Sequence, residues 1–175
     1  MKDFVKKLIK TLNNYQITAR LMACVGLFAI ITDVLLFLFY QLSGGMQEVS
    51  GVVTQVTAFN DNKILGMVYF LSAIIAIILG IVIVYMSLPY CFPKDKMNPN
   101  KALPWVVVAN GVFHLILAVL VVILLATEAS QVMVGFVVAL VLSFIVVLCS
   151  AFFAFPATKC LFYMPSLLAE EKKAK

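Results

Sequence analysis

The sequence predicts an all-α integral membrane protein: a four-transmembrane-helix bundle with both termini in the cytoplasm. Three observations predict it. Of 175 residues, 64% are hydrophobic and only 12% charged, with a mean hydropathy of +1.10; soluble domains sit near 45–50% apolar and about 25% charged. Four apolar runs are each long enough for a hydrocarbon core of about 30 Å, which takes roughly 20 helical residues. Lysine and arginine collect on alternate connections, as the positive-inside rule requires.

The predicted spans are 21–42, 64–88, 104–126 and 132–155. The pieces outside them are far shorter than the roughly 40 residues below which a soluble fold rarely stands alone. A single membrane domain, 1–175, is therefore expected. Twelve basic residues (Lys2, Lys6, Lys7, Lys10, Arg20; Lys94, Lys96, Lys101; Lys159, Lys172, Lys173, Lys175) fall on one side, and only Lys63 falls on the other. The net charge of +5 thus has a topological cause and does not indicate nucleic acid. The expected location is the plasma membrane. The first apolar run is too long for a cleaved signal peptide.

Residues 2–13 place Phe4, Val5, Leu8, Ile9 and Leu12 on one helical face and Lys2, Lys6, Lys7 and Lys10 elsewhere. That pattern predicts an amphipathic interfacial helix whose lysines lie at the membrane surface. In the first outward loop, Met46, Val49, Val52, Val53, Val56 and Phe59 recur at helical spacing. A short amphipathic segment is expected there, read as a helix, although its valines and threonines also permit a strand. Pro89, Pro93 and Pro99 predict a stiff irregular loop before Pro104, and Pro156 is expected to end the fourth span and begin a cytoplasmic tail, 156–175.

Asp33 lies about 18 Å into span one, and His114, the only histidine, about 15 Å into span three from the same face. A central Asp costs roughly 2.5–3.5 kcal/mol on insertion and is expected to face the bundle interior. Asn110 is one turn from His114, Ser143 falls near mid-bilayer in span four, and Ser72 falls in span two. Together they make a polar layer with two readings, an interhelical clamp or a proton- or cation-linked transport site. Ser72, Ala76 and Gly80 in span two, and Gly135, Ala139 and Ser143 in span four, form two small-residue stripes at four-residue spacing. Such stripes mark close helix packing; both spans run the same way, so a parallel pairing of two with four, within or between chains, is one expectation.

No metal-binding, phosphate-loop, nucleophile-elbow or kinase motif occurs, so no enzyme, metal or cofactor is expected. Through Arg20, Gly26 and Asp33 the first span resembles small GtrA-type polyprenyl-sugar flippases over about 20 residues, while their closing Asn/Arg/Trp/Phe signature is missing from 85–92 and 152–162. The leading expectation is a non-enzymatic protein acting by association, as a subunit or regulator of a membrane complex or as a homo-oligomer. The alternative is a small transporter or flippase subunit using the Asp33/His114 layer. Expected partners are membrane lipids and other copies or other membrane subunits.

Overall fold

A computed structural model describes residues 2–42, 46–49, 52–55, 63–92, 99–127 and 133–173. Its helices are α1 (Lys2–Leu42), α2 (Lys63–Cys91), α3 (Leu103–Thr127) and α4 (Met133–Lys173), with strands β1 (Met46–Val49) and β2 (Val52–Gln55) between α1 and α2. Four helices are long and apolar enough to cross a membrane, by length and composition, over Ile9–Leu38, Ile64–Cys91, Leu103–Ile123 and Val137–Tyr163. Their outer surfaces are apolar: Ile31 is 59% exposed, Ile78 53% and Phe152 73%. Such faces suit a hydrocarbon solvent rather than water.

The helices pack as a ring in which α1 touches α2 and α4, and α3 touches α2 and α4. α1 and α3 meet only narrowly across one diagonal, while α2 and α4 make no contact among the described residues. A pairing of spans two and four within one chain is therefore not what forms. Gly80 faces α1, and Ala76 and Ala139 are buried in the bundle's apolar core.

Two apolar clusters fill the bundle. At the end carrying both termini, Tyr15, Ala19 and Met22 of α1 meet Ile83 and Tyr90 of α2, Leu103 and Val107 of α3, and Ala154 and Ala157 of α4. Toward the strands, Leu36 meets Tyr69, Ala73, Ala76, Leu117, Leu120, Val121 and Ala139. Asp33, Asn110, His114 and Ser143 fall between them, while Ser72 lies level with the second cluster.

Three local expectations are corrected. Residues 2–13 are not a separate helix, because α1 is continuous from Lys2 to Leu42. At 1.5 Å per residue it is about 60 Å long, twice a hydrocarbon core. The loop segment is an antiparallel hairpin rather than a helix, with Met46 opposite Gln55 and Val49 opposite Val52. β-Branched side chains suit a pleated ribbon better than a helix. Finally, Pro156 does not end the fourth helix, which runs on to Lys173, and α2 carries Pro89 to Cys91. A proline removes one backbone donor, a loss that membrane helices tolerate when neighbouring groups compensate.

Candidate functional site: a polar layer inside the bundle

α1 and α3 run in the same direction, so residues at equal depth on their inward faces meet across the diagonal. Asp33 and His114 do so. His114 Nε2 lies 3.1 Å from Asp33 Oδ1, and both side chains are fully buried. The separation is that of an ion pair, while the N–H direction is not aligned as a hydrogen bond. The other ring nitrogen, Nδ1, lies 2.9 Å from the Asn110 carbonyl oxygen. A carbonyl only accepts, so Nδ1 carries a proton and donates it.

That assignment constrains the chemistry. With Nδ1 protonated, Nε2 holds either a lone pair facing a protonated Asp33 or a second proton facing an Asp33 carboxylate. Both arrangements are electrically neutral, and they differ only in which partner carries one proton. A net charge at this depth would be far costlier. The pair is thus a one-proton unit held by two helices.

Asn110 is fully buried, and among the described residues its amide oxygen and nitrogen have no hydrogen-bond partner, nor does Asp33 Oδ2. Ser143 is fully buried, but its hydroxyl donates to the Ala139 carbonyl of its own helix at 2.9 Å. Thr32, beside Asp33, likewise donates to Phe28 O at 3.0 Å. Ser72 is buried on α2. The structure therefore joins Asp33, His114 and Asn110, and places Ser143 and Ser72 inside the bundle without joining them to the pair.

Of the packing residues, Gly80 and Ala76 are buried on α2 and Ala139 on α4. A Cβ built on Gly80 would lie 2.8 Å from Ile30 Cγ1 and 3.2 Å from the Gly26 carbonyl oxygen. One built on Gly26 would lie 3.1 Å from the Gly80 carbonyl oxygen. The α1–α2 crossing is thus glycine against glycine. Gly26 went unread as its partner because only the three-dimensional crossing joins them. Gly135 belongs to α4, with its surroundings outside the described residues. Lys6, Lys7 and Lys10 are exposed on α1, and the side chain of Lys2 lies outside the described residues.

Sequence reading also missed a cluster at the terminal end. Tyr15 donates to the Asn100 carbonyl at 2.5 Å, Asn100 N–H donates to Tyr90 Oη at 2.6 Å, and the two tyrosine rings meet edge to face. Arg20 Nε donates to the Tyr90 carbonyl at 2.6 Å. This carbonyl lies in the last turn of α2, where helix acceptors lack intrahelical donors and a cation is favoured. The signal in the sequence was an arginine and a tyrosine just before the first apolar span and a tyrosine just after the second; nothing in spacing links them. The four cysteines are free thiols. No group of three or more His, Cys, Asp or Glu that could hold a metal occurs among the described residues.

No protein-family model, curated protein or solved structure matches this chain. Its functional reading rests on these residues alone.

Proposed function

We propose that the chain is a non-enzymatic integral membrane protein that works by association, as a subunit or regulator of a membrane complex or as a homo-oligomer. The observation that supports this reading best is the closure of the polar layer. Asp33, His114, Asn110 and Ser143 are all fully buried between two apolar clusters. Groups so placed hold helices together and leave the apolar outer surface as the face offered to partners. The test is purification from native membranes in mild detergent with the particle mass measured. A mass well above one 19.3 kDa protomer, after subtracting detergent, is expected. A lone monomer with no co-purifying protein would defeat the proposal.

A second reading, a small proton-linked transporter or flippase subunit, is favoured by a specific observation. Among the described residues, Asp33 Oδ2 and both Asn110 amide atoms are buried without hydrogen-bond partners beside the buried Asp33–His114 pair. Buried unpartnered groups call for an explanation beyond packing, and intramembrane ionisable groups mark proton paths. Proton flux into liposomes by the parent, lost in Asp33→Asn at an unchanged elution profile, would establish this reading over the first. Absence of flux from the parent is the expected result.

The same proposal places both termini in the cytoplasm and the protein in the plasma membrane, on the twelve-to-one distribution of basic residues. Lys6, Lys7 and Lys10 then meet the inner membrane surface. Reporters inserted between Lys94 and Lys101 and after Lys172 are expected to read cytoplasm, and a tag at Thr54 to read outside. An external signal from the 94–101 loop would reverse the assignment.

A further inference from the structure

Where α1 and α4 leave the apolar part of the bundle, at the end carrying the termini, a groove of about 460 Å³ opens between them. It is lined by Thr11, Asn14, Ile17 and Thr18 of α1 and by Pro156, Lys159, Cys160 and Tyr163 of α4. Its volume lies within the range of small-ligand sites, roughly 300–1,000 Å³. The Thr11 hydroxyl donates to Lys7 O and the Thr18 hydroxyl to Asn14 O. The Lys159 ammonium and the Asn14 amide are the strongest donors on its lining.

The charge around it is of one sign. Residues 6–20 and 156–163 contain Lys6, Lys7, Lys10, Arg20 and Lys159 and no acidic residue. Lys7 and Lys10 stand one helical turn before Thr11 and Asn14, on neighbouring positions of the same helix surface. The groove's depth is equally specific. Lys159 is four residues, or about 6 Å, beyond Phe155, and Phe152 and Phe155 on that deeper stretch are each 73% exposed. A cationic, amide-bearing rim above exposed aromatic and aliphatic side chains matches one molecule in its surroundings, with an anionic head and apolar chains.

We propose that this groove binds an anionic phospholipid, its phosphate held by Lys159 and Asn14 and its upper acyl chain lying against Ile17 and Pro156. The site rests on the chain spanning a membrane and on neither functional reading given above. A lysine at this level reaches the headgroup region while its stem covers apolar surface. Each interfacial lysine contributes about 1 kcal/mol toward anionic lipid, equivalent to roughly fivefold in affinity.

The full chain, purified in mild detergent, is titrated with phosphatidylglycerol or phosphatidylcholine, and bound lipids are counted by native mass spectrometry. Parent protein is expected to retain phosphatidylglycerol in preference to phosphatidylcholine. Lys159→Gln should lower that retention about fivefold, Lys159→Arg should restore it, and Asn14→Leu should also lower it. Lys101→Gln removes an equal charge from the same end, on an exposed residue outside the groove, and should have little effect. Inorganic phosphate should not displace the lipid. Equal losses in Lys159→Gln and Lys101→Gln would mean diffuse surface attraction and overturn the proposal. Displacement by inorganic phosphate would do the same, by showing a free-anion site. Each variant is compared at matched elution volume, and the arginine variant separates charge from folding should the glutamine variant elute abnormally.

Discussion

His114→Leu is expected to lower the stability of the folded bundle by about 3 kcal/mol, because it leaves Asp33 buried with nothing facing it. Asp33 is fully buried and the imidazole stands 3.1 Å from its carboxyl oxygen. Breaking one side of such a pair leaves a desolvated polar group, whereas removing both sides leaves none. The double variant Asp33→Leu/His114→Leu should therefore recover most of the loss. Asp33→Asn and His114→Gln keep polar groups in place and should each cost only about 0.6 kcal/mol, the average interhelical hydrogen bond in a membrane. Heat or SDS unfolding in detergent, arranged as a double-mutant cycle, measures the coupling. If the two leucine substitutions are simply additive, the contact carries no energy of its own.

Gly80→Leu should prevent α1 and α2 from closing at all, while Gly80→Ala should cost about 1–3 kcal/mol. Even a single Cβ at this position meets Ile30 Cγ1 at 2.8 Å and a backbone oxygen of α1 at 3.2 Å. A side-chain atom can move aside, but the carbonyl moves only with its helix. Ala76→Leu and Ala139→Leu also overfill fully buried positions, yet they press mainly on side chains that can repack, so smaller losses are expected. Elution profile and melting temperature in detergent check the order. Gly26→Ala combined with Gly80→Ala should cost less than the sum of the two, since both act on one crossing. Wild-type melting of Gly80→Leu would show that the crossing is looser than its distances imply.

How legible the site was differs residue by residue. Asp33 and His114 were matched by depth alone, since 1.5 Å per residue converts a position in a spanning helix into a height. Height says nothing of azimuth, however. Nothing along the chain distinguishes an α1–α3 diagonal from two helices whose polar faces point apart. The Arg20–Tyr90 contact lies across 70 residues and depends on α1 extending below the expected start of its span.

The sequence by itself determined that the chain has four helices long and apolar enough to cross a membrane, because hydrophobic length is a local, additive property read against bilayer thickness. It also determined that Asp33, Asn110 and His114 lie at nearby depths. Only the tertiary structure decided which helices are neighbours, and so set span two beside one rather than four. It also carried α4 through Pro156 and paired residues 46–49 with 52–55 as antiparallel strands. The physical reason is the same in each case. Lipid satisfies an apolar face wherever it points, so hydrophobicity cannot orient a membrane helix about its own axis. That choice falls to close contacts such as Gly26 against Gly80 and to the few polar groups that must find one another.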